Sequence, residues 1–175
     1  AASDVYKRQD YALNRSFCGG MYENVYLHIF NNTRRLIASC DEQGLTDYAG
    51  MMRVVQAYAI QMLTDVYGPV AYTSCIEDPT NGASFSYDTQ QSIYNSIFEL
   101  LDKALQDFQS PKSTLEERQS FDYWCNGDLD MWIQVANQLK LRAALRIVKA
   151  DPTLAKQKAL SLIHISEPTR PEPIS

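Results

Sequence analysis

Apolar and polar positions separate on a helical wheel from residue 21 onward. Tyr22, Val25, Tyr26, Ile29, Thr33, Leu36, Ile37 and Cys40 recur at three-and-four spacing, while Glu23, Asn24, Asn31, Arg34 and Arg35 fall elsewhere. This predicts a helix over 21–42, ended by Gly44. A second stripe, Tyr48, Met51, Met52, Val55, Tyr58, Ala59, Met62, Leu63 and Val66, predicts a helix capped by Thr46 or Asp47. Its stop is explicit, because Gly68 supplies the left-handed terminal position and Pro69 forbids continuation. The short link between these helices makes them an antiparallel hairpin.

A third helix is expected from Asp88, with Gln91 as its capping-box partner and Ile93, Ile97, Leu100, Leu101, Ala104, Leu105 and Phe108 on its apolar face. A fourth, over 128–150, carries apolar residues on more than one face and is expected to be the most buried of the four. Asp128 and Asp130 at its start and Lys140, Arg142, Arg146 and Lys149 toward its end complement the helix dipole. Asp151 and Pro152 begin a fifth as N-cap and first-turn proline. The connectors 68–87 and 109–127 exceed the length expected of plain links. Both are aromatic, with Tyr72, Phe85 and Tyr87 in one and Phe121, Tyr123 and Trp124 in the other. No strand-like alternation is sustained, so the fold class expected is all-α, built of paired helices.

The ends read differently. Asp4–Gln9 can be back-translated as GAT GTG TAT AAG AGA CAG, whose reverse complement encodes Leu-Ser-Leu-Ile-His-Ile, the residues at 160–165. One short duplex read from opposite strands could thus encode both ends, and the stretches resemble translated sequencing adapters. We expect residues 1–9 and 160–175 to be non-native and 10–159 to be one helical domain, partial at both ends. The alternative is a natural amphipathic tail.

Composition narrows the function. The net charge is -5, and removing both ends leaves it unchanged, since Lys7, Arg8 and Arg170 balance Asp4, Glu167 and Glu172. A mildly acidic chain without a basic cluster argues against nucleic-acid partners and against a polybasic membrane surface. With 45% hydrophobic residues the chain can bury a core, yet no apolar run approaches a membrane span of about 20 residues. Cys18, Cys40, Cys75 and Cys125 are scattered, so free thiols fit better than a disulfide framework or a zinc site.

Catalytic chemistry finds little support. His28, the only histidine outside the ends, sits mid-helix among apolar neighbours. Asp128 and Asp130 lack the further oxygen ligands of a calcium loop. Glu77, Asp78, Glu116 and Glu117 include no pair that the sequence sets across a cleft, as glycoside hydrolysis requires. The sequons at Asn14 and Asn31 are too short to carry weight. We expect no catalytic residues, metal or cofactor. The loop aromatics offer more: a sugar has an apolar C–H face and a hydroxyl rim, so rings near Asn, Asp or Arg make a platform. They could equally pin long loops to the helices, and on the residues alone both readings stay open.

Three stretches carry a resemblance. "MLTDVYGPVAYTSCIED" has Asp65, Tyr67, Gly68, Val70 and Tyr72, with Ala71 where proline is common. "YDTQQSIYNSIFELLDKAL" has Tyr87, Asp88, Gln90, Ile93, Tyr94 and Leu101. "GDLDMWIQVANQLKLRAALRI" has Gly127, Asp128, Trp132, Ala136, Asn137, Leu139, Lys140, Leu141 and Arg142. In order and spacing from Met62 to Ile147 they resemble the SusD/RagB family of nutrient-binding outer-membrane lipoproteins.

The resemblance implies tetratricopeptide-like helical hairpins, anchored to the outer membrane by a lipid attached upstream of this sequence. It implies capture of glycans, or in some branches peptides, for handover to a SusC-like TonB-dependent transporter. It brings no catalytic residues, and its motifs are structural. The candidate ligand-binding residues come from the aromatic connectors: Trp124 first, with Tyr123 and Asn126 beside it, and Tyr72 second. The rival functions are a tetratricopeptide-type protein–protein adaptor and a glycan-degrading enzyme module.

Overall fold

The computed structural model describes residues 15–77 and 85–163. The adapter-like residues 1–9, the sequon at Asn14, Asp78, and residues 164–175 of the expected tail lie outside the described residues. The described part is helical. The first expected helix runs as α1 (Arg15–Asn24), a π-helical segment (Val25–Phe30) and α2 (Asn31–Gln43). The remaining helices are α3 (Thr46–Tyr67), α4 (Thr73–Glu77), α5 (Gln90–Asp107), α6 (Leu115–Gln119), α7 (Leu129–Ile147) and α8 (Pro152–Ile163). The one-turn helices α4 and α6 lie in the two long connectors. Of strand pairing, the described residues show a single isolated bridge, Val70 with Asp88.

The π-helical segment has a local cause. The Asn31 N–H reaches back five residues to the Tyr26 carbonyl. The side chains of Asn32 and Thr33 bind the His28 and Ile29 carbonyls at 2.7 and 2.8 Å, competing with the regular ladder. Gly44, at φ 70°, then ends α2 as expected, and Leu45 N–H bonds the Cys40 carbonyl at 2.8 Å.

The start of α3 corrects an expectation. Its N-cap position is Leu45, and neither Thr46 nor Asp47 caps the helix. Both side chains instead bind the second connector: Thr46 Oγ1 donates to the Ser110 carbonyl at 2.9 Å. Buried Asp47 accepts from the Lys112 and Ser113 backbone at 3.3 and 3.2 Å and from the Ser113 hydroxyl. Asp88 is corrected too. Thr89 caps α5, taking the Ser92 N–H at 3.2 Å. Asp88 turns away to accept from Tyr72 N and Thr73 N, both at 2.8 Å, and so ties the first connector together.

The core lies chiefly between α3 and α5, where Met51, Ile60, Leu63, Ile93, Ile97, Phe98 and Leu101 are sealed from solvent. Helix α7 adds Trp132, Ala136, Leu139 and Ala143. It is not the most buried helix, however; α3 is. Packed on α5, α3 and α8, α7 leaves Met131, Leu141, Leu145 and Val148 exposed on its outer side. Helix α8 begins as read, with the Asp151 carboxylate accepting from Leu154 N at 2.9 Å. It continues past Ala159, and Leu162 is only 8% exposed, so the first turn of the expected tail packs on the fold. That burial concerns packing and not origin.

Ion pairs join the helices across this core. Buried Arg53 of α3 reaches Asp41 of α2 and Asp107 of α5, each at 2.5 Å. Buried Lys140 of α7 and Lys158 of α8 meet on Asp102 of α5 at 2.6 and 2.8 Å.

Candidate functional site

The connector 109–127 is built from its polar residues. Thr114 and Glu117 form a reciprocal capping box at the start of α6, a signal readable in "TLEE". Buried Arg118 donates through Nε to the Gly127 carbonyl at 2.8 Å and through Nη1 to the Ser113 carbonyl at 2.6 Å. The two halves of the connector are thereby drawn together. Asn126 and Gly127 both take positive φ, 50° and 75°, to turn the chain into α7.

Within this turn Asp122 is the organising residue. Its Oδ1 accepts from Trp124 N at 3.0 Å and Cys125 N at 3.2 Å; its Oδ2 accepts from Gly127 N at 3.0 Å and the Trp132 indole Nε1 at 2.7 Å. Burial opposes ionisation of this carboxylate, but the hydrogen bonds from Trp132 and from the backbone outweigh it and hold its pKa below the usual aspartate value. The sequence reading did not single out Asp122. An aspartate opening "DYWCNG" is the available signal, since such residues bind backbone N–H groups just ahead of them.

The consequence is a stacked indole pair. Trp124 lies over Trp132 with ring centroids 6.0 Å apart and planes at 21°. Trp132 is 3% exposed and Trp124 63%, so a buried indole backs an exposed one. Tyr123 is 93% exposed on the same turn. Asn126 is also exposed and lines an open hollow of about 460 Å³ with Arg118, Asp128 and Asp130. Phe121 behaves as an anchor, its ring 5.0 Å from that of Tyr48.

Trp124, Tyr123 and Asn126 thus share one loop, and the structure does not bring Tyr72 to them. Tyr72 is 6% exposed, packed edge-on against Phe30 at 5.6 Å, and burial raises its hydroxyl pKa. A ring enclosed in this way has no free face for a sugar, so Tyr72 is corrected to a core residue. His28 lies exposed on the π-helical segment. Among the described residues no cluster of His, Cys, Asp or Glu could hold a metal ion, and no helix is long and apolar enough to cross a membrane. The site as built can hold a planar apolar face and bond hydroxyls around it.

Comparison with known proteins supports the same scaffold. The SusD-like family, described as "Susd and RagB outer membrane lipoprotein", matches residues 3–166. Among solved structures, a chitin-binding SusD homolog from Flavobacterium johnsoniae is similar at 28% identity and TM-score 0.77, covering 87% of this chain and 32% of that one. A SusD homolog from Bacteroides vulgatus is similar at 28% identity and TM-score 0.70, covering 87% and 31%. A further chitin-binding protein is similar at 26% identity and TM-score 0.76, covering 88% and 32%. No curated protein matches. The chain spans about a third of the length of these solved proteins. With the three sequence stretches, the all-α hairpins and a family match over nearly its whole length, the chain belongs to the SusD-like family of SusD and RagB outer membrane lipoproteins.

Proposed function

We propose that the protein binds glycans at the cell surface without altering them and passes them to a SusC-like TonB-dependent transporter. The observation that carries this reading is Trp124, exposed yet held in place by the Trp132 indole behind it and by the Asp122 bond to its backbone. An exposed large ring is ordinarily mobile, and one that is held rigid loses less entropy when a ligand stacks on it. Tyr123 and Asn126 on the same loop add a second ring and an amide for hydroxyl groups. Two structural relatives are described as chitin-binding, which makes oligomers of N-acetylglucosamine the first ligands to test.

Stacking plus hydroxyl hydrogen bonds on an open surface corresponds to micromolar to millimolar dissociation constants, about 4–8 kcal/mol. The test is calorimetry with chitooligosaccharides and a panel of other glycans, on the wild-type protein and on Trp124→Ala. Binding that weakens in the variant, with chromatography showing the sugar intact, supports the proposal. Cleaved sugar would favour the enzyme reading, and unchanged binding in Trp124→Ala would remove the platform. Handover predicts co-purification with a TonB-dependent transporter from the outer membrane, which a plain protein–protein adaptor does not.

A further inference from the structure

A second feature lies away from the Trp124 loop. The π-helical segment and the start of α2 form one wall of a hollow of about 270 Å³, lined by Tyr26, Phe30, Asn31, Arg34, Cys75 and Phe85. Tyr26 is fixed there by its hydroxyl, which donates to the Ala71 carbonyl at 2.5 Å, and by ring contacts with Tyr22 and Phe30 at 4.5 and 5.2 Å. Burial keeps the Cys75 thiol protonated by raising its pKa, with the Asp88 charge adding to the effect.

Arg34 is the unexplained residue. Among the described residues lining the hollow it is the one charged group, and although the side chain is half-buried its Nε is sealed from solvent with no hydrogen-bond partner. No described carboxylate forms an ion pair with it. A buried donor on a permanent cation is costly unless an acceptor reaches it. Arg53 of α3 shows what a paired guanidinium looks like in this fold, since it holds two carboxylates. The guanidinium fork matches a carboxylate's two oxygens, whereas a neutral hydroxyl satisfies one bond. The aromatic walls suit the C–H face of a pyranose, and Asn31 offers an amide to its hydroxyls. Tyr26 and Phe30 lie on the π-helical segment, and such turns concentrate at functional sites.

We propose that this hollow is a binding site for one carboxylate-bearing pyranose, a uronic acid unit, with its carboxylate on Arg34 and its ring against the Tyr26 and Phe85 walls. It goes beyond the platform reading and stands independently of it, because the two sites share no residue.

The experiment is calorimetry of the full chain with trigalacturonate and with its methyl ester, in which a small methyl group replaces each carboxylate charge. The acid is expected to bind about tenfold tighter than the ester, a preference that shrinks with added salt. Arg34→Gln is expected to abolish that preference, and Arg34→Lys, which keeps the charge without the fork, to retain part of it. Unchanged thermal midpoints establish that these variants are folded. Equal binding of acid and ester, or a preference that survives Arg34→Gln, overturns the proposal. So does a short acidic peptide that binds as tightly as the sugar. In Trp124→Ala the preference for the acid over the ester should persist; its loss there would assign the acid to the platform and overturn this site. Loss of chitooligosaccharide binding alone in Trp124→Ala agrees with both proposals.

Discussion

Asp122 and Trp132 are joined by a 2.7 Å hydrogen bond from the indole Nε1 to the carboxylate Oδ2, and both residues are buried. The same carboxylate holds the backbone of Trp124, so one residue sets both indoles of the stacked pair. Removing either partner therefore acts on the core and on the loop together. Trp132→Ala should cost roughly 3–5 kcal/mol as a large-to-small core change. Trp132→Phe keeps most of the ring and loses the donor, about 1.5–3 kcal/mol for a bond to a charged group. Urea denaturation of the two variants checks both values and their order.

The pH dependence follows from the lowered pKa of Asp122. Its stabilising contribution is complete above the unfolded aspartate value, about 3.9, and is lost as pH falls through the lower folded value. Asp122→Asn should remove that part of the acid sensitivity, so its stability should fall less steeply than wild type below about pH 4. Denaturant midpoints measured across the acid range test the slope.

Gly127 is required by two observations. Its φ is 75°, and an added Cβ would lie 2.8 Å from the Gln119 backbone N and 2.9 Å from Arg118 Cβ. Gly127→Ala should cost roughly 1–3 kcal/mol through strain and disturb the Arg118 bond to this residue. Near-ultraviolet circular dichroism of the paired tryptophans should change with it.

Asp107 is 4% exposed and pairs with Arg53, itself 7% exposed. Asp107→Ala leaves a buried guanidinium with one remaining partner, the half-exposed Asp41, and should cost about 3–5 kcal/mol. Thermal unfolding of Asp107→Ala against Lys103→Ala separates the two, because Lys103 is an exposed partner worth well under about 1 kcal/mol.

The C-terminal end divides at the last turn of α8. Leu162 is 8% exposed, so Leu162→Ala should lose roughly 2 kcal/mol. A scanning calorimetry series of C-terminal truncations should show the thermal midpoint falling once Leu162 is removed.

Periodicity and punctuation by themselves located the long helices, though neither the π-helical segment nor the one-turn helices α4 and α6. The helix expected between Thr46 or Asp47 and Gly68 is the observed α3, the one expected over 128–150 is α7 at Leu129–Ile147, Gly44 ends α2, and Trp132, Ala136, Leu139 and Ala143 are inside. These are short-range matters, because a wheel position or a left-handed glycine acts within a turn or two of chain. Tertiary structure decided what each aromatic and each acid does. Tyr72 and Trp124 look alike as loop aromatics, but one is enclosed by Phe30 and the other stands on Trp132. Asp88 and Asp47 read as caps, yet their carboxylates serve N–H groups 16 and 65 residues away. Local propensity leaves such a carboxylate a choice of donors. Only the packing of the connectors onto α3 and α5 determines which donors arrive.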